Sequence, residues 1–205
     1  MHEREHWQRV YSSKSSDEVS WYRPHLEQSL GFIREAELSP DARIVDVGGG
    51  ASTLVDDLLG QGHRNLAVID LADSALAEVK RRLGARAERV DWIVGDVTTE
   101  LLPAQSVDFW HDRAVFHFLV DDAARSAYLA QVLRAVKPGA HVLVATFGLD
   151  GPDKCSGLPV ARYSADGIHD AFGDHFNKVS DASEVHATPW GATQSFVYCF
   201  CRRLD

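Results

Sequence analysis

Cysteine is scarce in this 205-residue sequence, which carries only Cys155, Cys199 and Cys201. Three is too few, and an odd number, for the paired disulfide framework of a small secreted domain. No Cys-x-x-Cys spacing occurs, so the cysteines predict no structural zinc site and we expect no metal centre. Three thiolates could still bind a soft metal or metalloid, which the sequence leaves open.

Long apolar runs are also missing. No stretch approaches the roughly 20 apolar residues that span a bilayer. The first six residues, Met-His-Glu-Arg-Glu-His, are polar and lack the apolar region of a signal peptide. We therefore expect a cytoplasmic protein without a membrane partner.

Basic residues are outnumbered, with 21 Lys and Arg against 30 Asp and Glu, which gives a formal net charge of −9. An acidic surface repels phosphate backbones, so a nucleic-acid partner is not expected. Hydrophobic residues make up 45% and charged residues 25% of a chain whose length is typical of one domain. The composition indicates a single globular unit.

The most informative stretch is residues 43–52, Arg-Ile-Val-Asp-Val-Gly-Gly-Gly-Ala-Ser. Its apolar residues predict a short buried strand around Asp46, followed by a turn at Gly48, Gly49 and Gly50 and then a helix. A strand, a glycine turn and a helix form a nucleotide-binding crevice at the carboxyl edge of a parallel sheet. Thr53 stands where the third glycine of the dinucleotide fingerprint belongs, which argues against a nicotinamide dehydrogenase.

Two acids narrow the choice of ligand further. Asp70 ends a second predicted strand, twenty residues after Gly50, where a carboxylate accepts hydrogen bonds from a ribose diol. Asp96 follows a third predicted strand, Val90 to Gly95, and could accept a hydrogen bond from an adenine amine. The pattern therefore indicates a ligand that contains adenosine.

Strands and helices alternate through the middle of the chain and give way to two long strands at its end. Further strands are predicted over Val107–His111 and His141–Phe147, with Pro138-Gly139 ending the helix between them. Helices are expected to begin at Ser74, at Asp121 or Asp122, and at Ser164. The tail, roughly Phe176–His186 and Thr193–Arg202, predicts a β-hairpin on an α/β core.

This series of motifs resembles the class I S-adenosylmethionine-dependent methyltransferases, over about residues 40–147. The resemblance implies an α/β, Rossmann-like, doubly wound sheet of seven strands, mostly parallel, with an antiparallel C-terminal hairpin. It also implies S-adenosyl-L-methionine as cofactor, which has no pyrophosphate, so the missing third glycine is no obstacle. We expect one domain over residues 1–205, divided into an N-terminal lid or helix (1–40), a cofactor-binding core (41–147), and an acceptor loop with the hairpin (148–205).

The resemblance also assigns roles. We expect the cofactor to be bound by Asp46, Gly48, Gly49, Gly50, Asp70, Leu71, Asp96, Val97, Asp112 and Arg113. Asp112, or the backbone around it, would hold the cofactor's ammonium group and Arg113 would assist. The alternative for this pair is a structural ion pair at a strand end.

His117 is the candidate general base, because an unperturbed histidine pKa of about 6.5 suits proton removal near neutrality. The alternative is a packed histidine. Trp21 and Tyr22, with Trp7 and Tyr11 before them, either pack against the sheet edge or form a lid over the cofactor and its acceptor. Cys155 lies in the loop after strand five, which borders the acceptor site in this fold.

The function indicated is methyl transfer to a small-molecule acceptor. The alternative is protein-lysine methylation, because the lead-in Glu18–Pro24 resembles a bacterial branch of the superfamily and, more distantly, some lysine methyltransferases. Residues 112–115, Asp-Arg-Ala-Val, replace the Asn-Pro-Pro-Tyr-like sequence of enzymes that methylate amides. Thiol or metalloid methylation and a non-catalytic cofactor-binding module are further alternatives.

Overall fold

The computed structural model describes residues 2–13, 19–99 and 101–205. Its main sheet contains seven strands: β1 (Arg43–Val47), β2 (Asn65–Asp70), β3 (Val90–Val94), β4 (Val107–Arg113), β5 (Val136–Phe147), β8 (Phe176–Ala187) and β9 (Thr193–Arg203). The two-residue strands β6 (Lys154–Cys155) and β7 (Leu158–Pro159) pair with each other. Six α-helices are described: α1 (His2–Ser13), α2 (Glu27–Glu35), α3 (Leu54–Gly60), α4 (Asp73–Leu83), α5 (Asp122–Ala135) and α6 (Ala165–Phe172).

The strand order is β3-β2-β1-β4-β5-β9-β8. Strands β1 to β5 run parallel, whereas β9 pairs antiparallel with both β5 and β8. The predicted fold class is therefore confirmed, including the antiparallel hairpin at the end. The chain leaves β1 toward β2 but returns from β3 to β4, so the strand order reverses between β1 and β4. In open α/β sheets, ligands bind outside the carboxyl ends of the strands at such a reversal.

The core has two halves because successive side chains of a strand point to opposite faces of the sheet. Ile44 and Phe109 belong to the face packed with α3 and α4, whereas Val45 and Trp110 belong to the face packed with α5. Both faces are covered, which explains why the central strands are apolar almost throughout. The polar side chains that do occur on these strands are therefore candidates for a site.

Several local predictions can be compared with the helix and strand ends. Asp121 and Ser164 cap α5 and α6, accepting hydrogen bonds from the N–H groups of Ala124 (2.8 Å) and Gly167 (3.0 Å). Ser74 does not cap α4, which already begins at Asp73, one residue before it.

Pro138-Gly139 does not end a helix, because β5 begins at Val136 and runs through both residues. Gly139 adopts a positive φ of 76° there, which glycine tolerates without strain. At the start of the chain, α1 (His2–Ser13) lies within residues 1–40, where an N-terminal lid or helix was expected. Glu18, the first residue of the lead-in, lies outside the described residues. No helix in the described ranges is long and apolar enough to cross a membrane.

Candidate active site

A cavity opens at the carboxyl ends of β1 to β4 and encloses about 1060 Å³, including its opening to solvent. Eight of the predicted site residues line it: Trp21, Gly48, Asp70, Leu71, Asp96, Val97, Arg113 and Cys155. The remaining lining residues are mostly apolar and come from α1, the ends of β1, β2 and β3, the segment after β4, and β7. The strand-order reversal therefore coincides with a real cavity, as the fold predicts.

The glycine turn packs closely against neighbouring side chains. Gly48 adopts a φ of +64°, and its N–H donates to the carbonyl of Ile69 at 2.8 Å. A Cβ at Gly48 would lie 2.0 Å from Cγ2 of Val115, and one at Gly49 would lie 2.6 Å from Oδ2 of Asp46. Glycine is therefore required here by both backbone conformation and space.

Asp70 lies at the end of β2 beside the turn, and it is 7% exposed. Its Oδ1 accepts a hydrogen bond from the N–H of Ala72 at 2.8 Å, and the N–H groups of Gly50 and Leu71 also stabilise the carboxylate. Burial nevertheless raises the pKa of Asp70 to about 7. This carboxyl has capacity for additional hydrogen-bond donors, and a ligand that supplies them would favour its ionised form.

Asp96 follows β3 and is exposed at the rim of the cavity. Its Oδ1 accepts hydrogen bonds from the backbone N–H and the hydroxyl of Thr98, at 2.9 and 2.6 Å. These contacts leave Oδ2 available. Leu71 and Val97, which follow the two acids, supply apolar walls on the same side of the cavity.

A smaller side pocket of about 410 Å³ lies next to the glycine turn and shares Trp21, Gly48 and Arg113 with the main cavity. Asp46 and Tyr22 also line it. Asp46 Oδ1 accepts from Nδ1 of His111 at 2.7 Å, and Nε2 of His111 accepts from the Ser29 hydroxyl at 2.9 Å. Asp46 Oδ2 is buried and has no hydrogen-bond partner.

Arg113 supplies the opposite charge in the same pocket, with a side chain that is 5% exposed. Its Nε donates to the hydroxyl of Tyr198 at 3.1 Å and its Nη1 donates to the carbonyl of Trp21 at 3.3 Å. The guanidinium lies 4.2 Å from the centre of the Phe196 ring, and Nη2 is 3.9 Å from Glu184 Oε2. Nη2 is buried without a hydrogen-bond partner, so a donor and an acceptor of opposite charge both remain unused in one pocket.

The expectation that Asp112 faces the cofactor crevice is wrong. Its carboxylate points to the α5 face, where it accepts from the Tyr128 hydroxyl at 2.6 Å and from the N–H groups of Val115 and Phe116. Burial raises its pKa to about 6, although these hydrogen bonds act in the opposite direction. Alternation along β4 explains the correction, because Asp112 and Arg113 must point to opposite faces. The two residues are not an ion pair either.

The expectation that His117 is a general base at the acceptor is also not met by its placement. The ring is fully buried against Phe118 and Phe147, with centroid distances of 4.5 and 4.8 Å, and it does not line the cavity. Its Nδ1 accepts a weak hydrogen bond from the N–H of Phe147 at 3.4 Å. Burial lowers its pKa to about 3. The structure favours the alternative, a packed neutral histidine.

The N-terminal aromatic residues cover the cavity. Trp7 makes edge contacts with Trp21 and Phe118, at centroid distances of 5.8 and 5.1 Å, and Tyr11 contacts both tryptophans. We call Trp7, Tyr11, Trp21 and Phe118 the aromatic cap. A Cβ on Gly50 would lie 2.6 Å from the Tyr11 hydroxyl and 2.8 Å from Oδ2 of Asp70, so the cap reaches the glycine turn. The position favours a lid over simple packing at the sheet edge.

Residues 19–24 act as a strap that holds the cap in place. Nε2 of His186 donates to the carbonyl of Ser20 at 2.6 Å, and the Thr53 hydroxyl donates to the carbonyl of Arg23 at 2.9 Å. On the other side of the cap, Nε of Arg4 donates to the carbonyl of Leu71 at 3.1 Å. The N-terminal region is therefore tied to α3, β4 and β8 around the cavity.

Cys155 lies in the cavity wall and is 5% exposed. Burial raises the pKa of its thiol to about 11, so it remains protonated. Cys199 and Cys201 lie on the opposite face of the sheet, with their sulfur atoms 3.4 Å apart. The three cysteines do not converge on one ion, and no group of three or more metal-binding side chains occurs in the described part of the chain.

Sequence reasoning missed part of the cavity. Leu119, Val120, Leu158 and Pro159 line it, but apolar residues in loops carry no periodic signal that distinguishes a cavity wall from core. It also passed over residues 2–6, His-Glu-Arg-Glu-His, which have the spacing of a His-Glu-x-x-His zinc motif. The side chains of His2 and Glu3 are outside the described part of the chain, so this spacing stays a sequence observation.

Comparison with known proteins agrees with this geometry. A family model described as a methyltransferase domain matches residues 44–139, from β1 to the start of β5. Two curated relatives are the eEF1A lysine and N-terminal methyltransferases of Bos taurus and Danio rerio. Each is 22% identical, over 68% and 87% of this chain and over 20% and 26% of its own length. The chain thus spans about a fifth to a quarter of the length of these relatives.

Solved structures of the same fold cover nearly the whole chain. One, described as the conversion of a disulfide bond into a thioacetal group during echinomycin biosynthesis, is 18% identical with a TM-score of 0.80, over 99% of this chain and 92% of its own. Another is the Burkholderia thailandensis 1,6-didemethyltoxoflavin-N1-methyltransferase with S-adenosylhomocysteine. It is 21% identical with a TM-score of 0.68, over 100% of this chain and 85% of its own. At such identities the likeness shows the fold.

The methyltransferase-domain match spans the strand, turn and acids that form the polar end of the cavity, and the fold extends the agreement to the terminal hairpin. Residues 44–139 therefore match a methyltransferase domain, and the chain as a whole has the fold of the class I S-adenosylmethionine-dependent methyltransferases, whose cofactor is S-adenosyl-L-methionine.

Proposed function

We propose that this methyltransferase acts on a small-molecule acceptor held under the aromatic cap. The observation that carries the proposal is the polarity of the cavity. One end has the carboxylates of Asp70 and Asp96, and the other is formed by the cap with Leu158 and Pro159. A cavity with one polar and one apolar end suits a polar nucleoside beside an apolar acceptor.

The residues present fit the cofactor. Asp70 would accept from the ribose hydroxyls and Asp96 from the adenine amine, with Leu71 and Val97 against the base. In the side pocket, the unused Oδ2 of Asp46 would accept from the ammonium of the methionine part. The unused Nη2 of Arg113 would donate to its carboxylate. Two buried, unpartnered atoms of opposite charge are what an amino-acid zwitterion satisfies.

S-adenosylmethionine supplies an electrophilic methyl group and a good leaving group. The protein then has to align the acceptor, exclude water and avoid competing charge. The aromatic cap and the strap exclude water, while the tight contact between Gly48 and Val115 fixes the floor on which the methionine part would lie. Aromatic rings near a sulfonium also stabilise its positive charge.

A protein lysine is the second candidate acceptor, supported by the relatives named as lysine and N-terminal methyltransferases. The aromatic cap favours the small molecule, because Trp7 and Tyr11 of α1 and Trp21 of the strap occupy the wall of the cavity that a lysine side chain attached to a protein would have to approach. Incubation with radiolabelled cofactor separates the two. Label in low-molecular-mass products supports the proposal, whereas label only in added proteins or lysine peptides contradicts it.

Cofactor binding is tested with ligands that differ in one part. Isothermal calorimetry with S-adenosylhomocysteine and with methylthioadenosine, which lacks the amino-acid tail, is expected to show tighter binding of the first. Arg113→Met should weaken the binding of S-adenosylhomocysteine at least tenfold and the binding of methylthioadenosine less than threefold. Asp96→Asn, the matched control at the adenosine end, should weaken both alike. Equal effects of Arg113→Met on the two ligands would remove Arg113 from the methionine subsite.

A further inference from the structure

The apolar end of the cavity has few ionisable side chains that could remove a proton from the acceptor. We call this end the acceptor end and define it by Trp7, Trp21, Phe118, Leu119, Cys155, Leu158 and Pro159. Among all the described residues that line the cavity, the ionisable ones are Tyr11, Asp70, Asp96, Arg113 and Cys155. Of these, Cys155 lies in the acceptor end, and Tyr11 belongs to the aromatic cap that contributes to it.

None of these five groups is available to take a proton from an acceptor. Asp70 and Asp96 are at the adenosine end, and Arg113 is a permanent cation. The Tyr11 phenol lies between Gly50 and Asp70, where burial raises its pKa well above 10. The Cys155 thiol has a pKa raised to about 11 and is protonated near neutrality. His117, the residue expected as a base, is outside the lining.

We propose that the acceptor is a small hydrophobic thiol that reaches the cavity as its thiolate, with its proton already lost to water. The proposal rests on the methyltransferase function proposed above and names the class of its acceptor. The thiolate lone pair forms the new carbon–sulfur bond. The sulfonium–methyl bond breaks with its electron pair remaining on the cofactor sulfur, so the products are a methyl thioether and S-adenosylhomocysteine.

Without a base among the described residues that line the cavity, the preferred acceptor is the one that ionises most readily in water. At pH 7.5 about one in ten thiols is ionised, given a pKa of about 8.5, against about one in 300 phenols and one neutral amine in about 800 lysines. Carboxylates are ionised too, but their strong hydration makes transfer into an apolar site costly. A sulfur nucleophile therefore suits an acceptor end made of aromatic and aliphatic side chains.

The charges near the cavity point the same way. Arg113 and the strap residue Arg23 share Glu184, and Asp46 lines the same side pocket, so the formal charges of these four side chains balance. The carboxylate and the ammonium of the cofactor also balance, which leaves its sulfonium as an uncompensated positive charge. An ammonium acceptor would add another cation and still carry a proton that blocks its lone pair. A thiolate instead brings the negative charge that the sulfonium attracts.

The first test compares five acceptors at saturating cofactor. Four are small aromatic compounds, namely benzyl mercaptan, benzylamine, phenylacetate and p-cresol, and the fifth is a lysine peptide. We expect kcat/KM for the thiol to exceed that of every other compound at least tenfold at pH 7.5. In a series of substituted benzyl mercaptans, the pH profile should rise to the pKa of each thiol. A profile fixed at one pKa for all thiols would reveal a base in the protein and overturn the proposal. A preferred amine, or no transfer to thiols, would overturn it as well.

A second test adds the missing group. Leu158→Glu places a carboxylate at the acceptor end on the short strand β7, and Leu158→Gln is its neutral match in size. We expect the glutamate variant to lower the ratio of thiol to amine turnover at least fivefold relative to the glutamine variant. The reason is that a carboxylate repels the thiolate and accepts a proton from the ammonium. Equal ratios in the two variants would contradict the proposal.

A binding measurement is independent of turnover. Calorimetry of benzyl mercaptan binding to the protein with sinefungin, a cofactor analogue whose amine stands for the sulfonium, is performed in two buffers of different ionisation enthalpy at pH 7.5. About one proton should appear in solution for each thiol bound, and none would contradict binding as a thiolate. Failure of the proposed function itself is distinguishable, because label from the cofactor would then appear only in added proteins or lysine peptides, or S-adenosylhomocysteine would not bind.

Discussion

Asp70 is predicted to lower the stability of the cofactor-free protein at neutral pH, because its carboxylate is buried. In the folded protein its pKa is raised to about 7 by burial, whereas in an unfolded chain it is about 3.9. Between these values the folded state binds more protons, so the free energy of unfolding falls as pH rises. The loss begins above about pH 4 and is complete above about pH 7. Each pKa unit corresponds to about 1.4 kcal/mol, so the total loss in the free energy of unfolding is about 4 kcal/mol.

Asp70→Asn removes this titration and retains a carbonyl oxygen for the N–H of Ala72. The variant should match the wild type in stability at pH 4 and exceed it progressively, by up to about 4 kcal/mol, at pH 8. Urea unfolding of both proteins from pH 4 to 8 measures the difference. The raised pKa of Asp112 affects both proteins equally and cancels. A difference that does not change with pH would refute the reasoning.

The same substitution should weaken cofactor binding. Ribose hydroxyls donate to a carboxylate more strongly than to an amide, so S-adenosylhomocysteine should bind Asp70→Asn more than tenfold less tightly than it binds the wild type. This corresponds to about 1.5–3 kcal/mol. Stability and affinity thus change in opposite directions, which a merely structural acid would not produce. Unchanged affinity by calorimetry would show that Asp70 is not the ribose acid.

Three further results are expected. Gly48→Ala should lower the free energy of unfolding by about 2–4 kcal/mol and the affinity for S-adenosylhomocysteine at least tenfold. Adding Val115→Ala should partly restore both. An unchanged midpoint of urea unfolding would contradict this, because it would mean that the turn can relax. Tyr128→Phe should cost about 1–3 kcal/mol, more at pH 8 than at pH 5, because it removes a donor from the Asp112 carboxylate. Calorimetry on that variant should show unchanged cofactor affinity, and a tenfold loss would return Asp112 to the cofactor site. His117→Gln should leave the pH profile of kcat/KM unchanged from pH 6 to 9, since a histidine whose pKa is lowered to about 3 does not titrate there, and a vanished pH dependence would restore it as a base.

The fold was predictable because its signals are local. A glycine turn after an apolar strand, an acid at the end of each of the next two strands and the alternating pattern of each terminal strand can all be recognised in short stretches of sequence. Errors occurred where a local signal was ambiguous. Pro138-Gly139 is typical of a helix end, yet parallel pairing with β4 extends β5 back to Val136. Tertiary pairing outweighed turn propensity at that point.

The site was predictable only in part, because side-chain partners far apart in sequence decide its chemistry. The His111 ring joins Asp46 and Ser29, which are 65 and 82 residues away. No spacing in the sequence reveals that one Asp46 oxygen is occupied and the other is not. The sequence likewise could not place Tyr11 against Gly50, because that contact depends on how α1 returns over the sheet.

The two charged residues at the end of β4 show how one strand contributes separately to the shape and the charge of the site. Arg113 points to the same face as Asp46 and completes the side pocket beside the glycine turn. Asp112 points to the other face and binds the N–H groups of Val115 and Phe116, which fixes the chain that follows Ala114 and its positive φ of 73°. That fixed chain places Val115 against Gly48. We therefore expect Asp112 to be a positioning residue, whose loss should loosen the glycine turn without removing a side-chain contact with the ligand.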